Sequence, residues 1–108
     1  MAKKTALNER EMNKLVHNLY TIQLTESFDR IAVTEIYPQL LQAVLDQQRI
    51  QFDGSKVQRV TIAGVQLLIS WVNTMEQTDG QMAWSAVSPY LRRQLVSYGL
   101  EDRLMLPK

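Results

Sequence analysis

Apolar and polar residues follow two different periods along this chain, and the change of period predicts strands that alternate with helices. Residues 20–24 and 50–53 alternate apolar and polar side chains, which is typical of half-buried strands. Between Ile31 and Leu45 the apolar residues recur at three- and four-residue steps as one stripe, which predicts an amphipathic helix. If Thr34 is the N-cap of this helix, Pro38 falls at the end of the first turn, where a proline is tolerated.

A second helix is predicted over residues 62–77, where apolar residues occupy most of the helix circumference. Such a helix should be buried against a sheet and could also touch a partner. A turn at residues 78–80 and a strand at residues 81–86 follow. Ser88 and Pro89 are residue types preferred at an N-cap and at a first helical position. They predict a last helix with Leu91, Leu95 and Tyr98 on its inner face.

The first 18 residues allow two interpretations. Met12, Leu15, Val16 and Leu19 lie at helical intervals, whereas the alternative is a first strand near Leu15. We favour the helix and treat residues 1–18 as an extension in front of one domain at residues 19–108. The alternation of elements predicts an α/β fold with a mixed, mostly parallel β-sheet and helices packed mainly on one face.

Composition narrows the range of functions. The 108 residues suffice for one domain, and a net charge of +1 gives no reason to expect nucleic acid as a partner. There is no cysteine and His17 is the only histidine, so we expect no enzyme activity, no cofactor and no metal site. Polar residues stand at 8–13, where a signal peptide needs an apolar run, so we expect a cytoplasmic protein without direct membrane insertion.

Two groups of charged residues have both a functional and a plain interpretation. Asp29 and Asp53 follow predicted strand ends, where two carboxylates could act as general acid and base. Turn and capping roles are the commoner use of aspartate at such places. Arg59, Arg92 and Arg93 could meet an acidic partner, although a solvated face is the commoner role.

Three blocks of sequence occur in the order found in one known family. Residues 24–29 end in Asp29, which matches an acid after a strand end, and residues 57–68 place Ala63 and Gly64 before an apolar helix. Residues 82–100 match a closing strand and helix that end in Gly99 and Leu100. The chain therefore resembles the STAS domain of bacterial anti-sigma-factor antagonists. The resemblance implies a regulatory module that acts in signal transduction by binding another protein.

One position departs from the family pattern. Thr61 stands where the family has an aspartate, and Ile62 stands where it has the serine or threonine that a partner kinase phosphorylates. Isoleucine has no hydroxyl, so a phosphate switch cannot operate at that position. We expect the Thr61 side chain to be an N-cap that accepts from the N–H of Ala63 or Gly64. The alternative is that Thr61 itself is phosphorylated.

These inferences predict a docking site at the start of the second helix. If Ile62 is exposed it favours a standing contact, and the alternative is that Ile62 is buried against the sheet. A glycine at position 64 would let the backbone of a partner approach closely. The expected partner-binding residues are Asp29, Ser55, Thr61, Ile62, Ala63 and Gly64.

The partner that the resemblance implies is an anti-sigma factor or a related histidine-kinase-like ATPase. Two alternatives stay open: a small cytoplasmic accessory subunit for the ATPase of a lipid-transporting ABC system, and a STAS-type switch that binds nucleotide. The chain could also form a homodimer, because the second helix is very apolar and carries Trp71.

Overall fold

The computed structural model describes residues 19–46, 49–77 and 82–107, in which strands and helices alternate. The strands are β1 (Leu19–Gln23), β2 (Ser27–Phe28), β3 (Arg49–Gly54), β4 (Arg59–Val60) and β5 (Trp84–Val87). The helices are α1 (Arg30–Leu45), α2 (Ile62–Gln77) and α3 (Pro89–Ser97). The predicted N-terminal extension and the predicted turn at residues 78–80 lie outside the described residues.

All strand pairs of the described ranges are parallel. One sheet has the order β1-β3-β5, and β2 pairs with β4 in a second sheet of two strands. Parallel neighbours end at the same side, so α1, α2 and α3 each begin at one common edge. The predicted α/β class with a mainly parallel sheet is confirmed.

The sheet has one apolar face and one polar face. Ile22, Ile50 and Phe52 are buried towards the helices. On the opposite face the Gln51 side-chain amide donates to the Thr21 hydroxyl at 3.0 Å. This alternation places the core between the sheet and the helices, as the period of two predicts. The expectation that the helices pack mainly on one face is confirmed.

The first helix begins earlier than the sequence predicted. α1 starts at Arg30, and Asp29 is its N-cap, with its carboxylate accepting from the Ala32 N–H at 3.0 Å. The N-cap expected at Thr34 is therefore wrong, and Pro38 lies inside the helix. A proline there removes one backbone hydrogen bond. Pro38 is exposed, so water can reach the backbone group that it leaves unpaired.

The apolar residues of α1 occupy two faces instead of the predicted single stripe. Ala32, Ile36, Leu40 and Ala43 are buried in the core. A second set is exposed on the other side of the helix, and its members are Ile31, Tyr37, Leu41, Val44 and Leu45. Spacing alone could not separate the two sets, because both follow the same helical period.

The second helix runs over the predicted residues and is buried as expected. Leu68 is fully buried, and Trp71 is 6% exposed with its ring edge-on to Phe52 at 6.3 Å between centroids. The Trp71 side chain therefore belongs to the core. It is not available for the homodimer contact that the sequence suggested. Across the described ranges, no helix is long and apolar enough to cross a lipid bilayer.

The last helix has the predicted start. The Ser88 hydroxyl accepts from the Leu91 N–H at 3.0 Å and donates to the Val57 carbonyl at 2.6 Å, so it caps α3 and ties it to a neighbouring loop. Leu91 and Leu95 are fully buried, as predicted. The prediction for Tyr98 is wrong: this residue is the C-cap and its side chain is 55% exposed.

Candidate functional site

The predicted site residues lie at the edge where the strands end and the helices begin. Asp29 follows β2, Ser55 follows β3 and Thr61 follows β4. Backbone hydrogen bonds hold this edge together. The Thr61 N–H donates to the Phe28 carbonyl at 3.2 Å, and the N–H groups of residues 58 and 59 donate to the Glu26 carbonyl at 2.8 and 3.0 Å.

The side chain of Ile62 stands out from this edge. Ile62 is the first residue of α2 and is 70% exposed. The structure therefore selects the exposed alternative over burial against the sheet. An isolated apolar side chain on a surface is common, but this one stands at the start of a helix that follows a parallel strand. Covering it could contribute roughly 1.5–3 kcal/mol before ordering costs.

Thr61 does not cap α2 as predicted. Its Oγ1 atom is buried and has no hydrogen-bond partner among the described residues. The backbone of Thr61 makes the connections instead: its N–H donates to Phe28, and its carbonyl accepts from the Val65 N–H at 3.1 Å. The expected hydrogen bond from Ala63 or Gly64 to the hydroxyl is therefore wrong.

Gly64 is required by the fold itself. A Cβ atom added there would lie 2.5 Å from the Phe28 carbonyl oxygen and 2.8 Å from Phe28 Cδ2, and both distances are too short for real contacts. Glycine thus lets α2 pack directly on β2. The backbone that approaches Gly64 belongs to the same chain, which corrects the expectation that the space serves a partner. Gly64 is buried and Ala63 is half-buried.

Asp29 and Asp53 both have local capping roles. Asp29 caps α1, and the Asp53 carboxylate accepts from the Ser55 N–H at 2.9 Å. Hydrogen bonds from the side chain and the backbone of Ser55 lower the pKa of Asp53 below its ordinary value, so this carboxyl is ionised at neutral pH. Each aspartate thus has the commoner, structural role. A carboxyl with a lowered pKa is a poor general acid.

Basic side chains border the edge. The Val60 N–H donates to the Tyr90 hydroxyl at 3.2 Å, which holds α3 beside β4. Arg93 lies one turn after Tyr90, and Arg59 lies next to Val60 in β4. Within the described ranges, neither arginine forms an ion pair. The same ranges contain no cluster of three or more acidic, histidine or cysteine side chains that could hold a metal ion.

A second exposed isoleucine, which the sequence did not predict, lies at this edge. Ile31 is 69% exposed in the first turn of α1, and Phe28, which precedes it by three residues, pairs with Val60 in front of Ile62. Two neighbouring helices therefore each begin with an exposed isoleucine. The sequence carried no sign of this, because β2 and β4 have two residues each and are too short to show a period.

These features define a single α/β domain whose parallel strands end at an edge with an exposed helix start. A family model described as "Mlab, STAS domain" matches residues 15–107, and the chain belongs to the STAS domain family. Neither the curated proteins nor the solved structures gave a match. STAS domains are generally non-catalytic regulatory modules that mediate protein–protein interactions.

Proposed function

We propose that this protein is a non-catalytic regulatory module, similar to anti-sigma-factor antagonists, that docks onto a partner through the start of α2. The observation that carries the proposal is the 70% exposure of Ile62 at the start of α2. The resemblance to anti-sigma-factor antagonists aligns this position with the family phosphoacceptor. An apolar side chain held at a rigid helix start is suited to a pocket on another protein.

The contact surface is smaller than the predicted set of six residues. Ile62 and Ser55 are exposed, whereas Asp29, Thr61 and Ala63 are half-buried and Gly64 is buried. We propose Ile62 as the anchor and Ser55 as a polar neighbour. The other members of the set shape and support the edge.

The proposed contact has no phosphate switch. Ile62 cannot accept a phosphoryl group, and the Thr61 hydroxyl oxygen is buried. A kinase would have to open the edge between β2 and α2 before it reached that oxygen. The partner is an anti-sigma factor or a related histidine-kinase-like ATPase that stays bound without a phosphorylation cycle.

A second candidate is a small accessory subunit that steadies the ATPase of a lipid-transporting ABC system. The same exposed Ile62 favours this role, because a structural subunit needs a permanent contact and no phosphorylation switch. The nucleotide-binding alternative has less support, since an apolar side chain occupies the helix start where a phosphate would bind. Calorimetric titration of the purified protein with ATP tests it.

The experiment is recovery of the partner with the tagged full chain from its own cells, followed by mass spectrometry. The Ile62→Asp variant should fail to recover an ATPase that the native protein recovers. Aspartate is favourable at a helix N-terminus, so this variant should fold. The matched control is Val96→Asp, which adds the same charge at a 45% exposed residue. Val96 lies near the C-terminal end of α3, whereas Ile62 lies at the start of α2.

Each outcome has a consequence. A histidine-kinase-like ATPase that depends on Ile62 supports the antagonist role, and an ABC ATPase that depends on Ile62 supports the accessory role. Equal recovery by Ile62→Asp and the native protein would refute docking through the start of α2.

A further inference from the structure

The outer face of α1 carries exposed apolar residues from its first turn to its last. Ile31 is 69% exposed, Leu41 is 48% exposed and Leu45 is 75% exposed, and all three lie away from the buried residues of the helix. The outer face of a helix that covers a sheet normally carries polar residues. A continuous apolar face of this kind indicates a contact with another molecule.

The spacing of this face is that of a two-helix seam. Ile31, Thr34, Pro38, Leu41 and Leu45 follow one another at alternating steps of three and four residues. Those are the a and d positions of a heptad repeat, and they extend over about 21 Å of helix at 1.5 Å per residue. Tyr37 and Val44 widen the face on one side, with 53% and 44% of their surfaces exposed.

The one hydroxyl in this seam has its hydrogen bond inside the helix. The Thr34 hydroxyl donates to the Arg30 carbonyl at 3.0 Å. A donor that is already satisfied can be covered without the penalty of an unpaired polar group.

Charged residues beside the seam favour a second copy of this chain as the molecule that covers it. Arg30 precedes the first a position and is a g residue, and Glu35 follows the first d position and is an e residue. Both are exposed, and among the described residues neither forms an ion pair. In a parallel pair, each g residue faces the e residue five positions later in the other helix. Arg30 of one copy would then face Glu35 of the other, twice by symmetry.

We propose that a second copy of this chain covers the outer face of α1, in a parallel pair of α1 helices related by a twofold axis. The charges of Arg30 and Glu35 make the face complementary to itself, as such an interface requires. Ile62 is the first residue of α2 and is not one of the seam residues.

The test is the mass of the full chain in solution, measured by sedimentation velocity across a wide range of concentration. The native protein should be a dimer that dissociates on dilution. Leu41→Asp should raise the dissociation constant at least roughly tenfold, since it places a carboxylate in the seam. Ile62→Asp is the matched control and should leave the constant unchanged.

A charge swap tests the direction of the helices. Arg30→Glu should weaken the dimer roughly tenfold, because it then faces Glu35 of the second copy. The double variant Arg30→Glu/Glu35→Arg should recover the native constant. Glutamate in a first turn stabilises a helix, so loss of folding would not explain the weaker dimer, and circular dichroism checks this.

A monomer at every concentration would overturn the proposal, and it is the result expected if residues 1–18 or another protein cover this face. A dimer insensitive to Leu41→Asp would overturn it as well. Failure of the double variant to recover would overturn the parallel arrangement. None of these results bears on docking through Ile62, which lies outside the seam.

Discussion

Ile62 is the first residue of α2 and is 70% exposed to solvent. The sequence left the exposure and the burial of this side chain as open alternatives. Exposure depends on how the helix start lies against the neighbouring strand. That arrangement follows from β2, which has only two residues and no period of its own.

The Thr61 hydroxyl gives a prediction about stability. Its Oγ1 atom is buried without a hydrogen-bond partner among the described residues, which typically costs about 1–3 kcal/mol. Thr61→Val keeps the shape and removes that cost, so we expect the free energy of unfolding to stay equal or to rise by about 1 kcal/mol. Chemical denaturation measures this change.

The control for that prediction is Ser88→Ala. The Ser88 hydroxyl is buried and makes two hydrogen bonds, so its removal should lower the free energy of unfolding by about 1–3 kcal/mol. If Thr61→Val destabilised the protein as much as Ser88→Ala does, the Thr61 hydroxyl would have a partner after all.

At the scale of elements, Gly64 determines how closely α2 lies on β2. Gly64→Ala places a methyl group 2.5 Å from the Phe28 carbonyl oxygen, a backbone atom that cannot move without shifting the strand. We expect a loss of about 1–3 kcal/mol in the free energy of unfolding, as for other overpacked sites. Thermal and chemical denaturation both measure it.

Gly54→Ala is the matched comparison for Gly64→Ala. Its new methyl group would lie 2.9 Å from Leu91 Cδ2, the end of a side chain that can rotate. The loss should therefore be smaller than at Gly64. Equal losses would contradict the account of Gly64 as the residue that seats α2 on the strand.

The sequence predicted some elements well, and the reasons for success and failure are physical. The bounds of α2 and the Ser88 cap of α3 were predicted from a long apolar run and from an N-cap followed by proline. The start of α1 was predicted wrongly because a proline was expected near a helix end. Pro38 instead lies in the interior of the helix sequence, on its solvent-exposed side. The role of Gly64 depends on a contact across 36 positions of sequence with Phe28, which no local pattern contains.

At the scale of the whole molecule, parallel pairing brings the starts of all three described helices to one edge. That arrangement could be predicted from the alternation of strands and helices. Which of the predicted site residues are exposed could not be predicted from the sequence. Ile62 and Ser55 are exposed. Asp29 instead caps α1, and Gly64 packs closely against β2. The outer face of α1 is exposed, and we propose that a second copy covers it.

The central claim is that Ile62 anchors a standing contact, and the most direct test is the dissociation constant of the complex with the recovered ATPase, measured by calorimetry. Removing the burial of one such side chain should raise the constant for Ile62→Asp roughly tenfold to hundredfold over the native value. Val96→Asp and prior incubation with ATP should leave it unchanged. A constant for Ile62→Asp within about twofold of the native value, a difference of under 1 kcal/mol, would contradict the account.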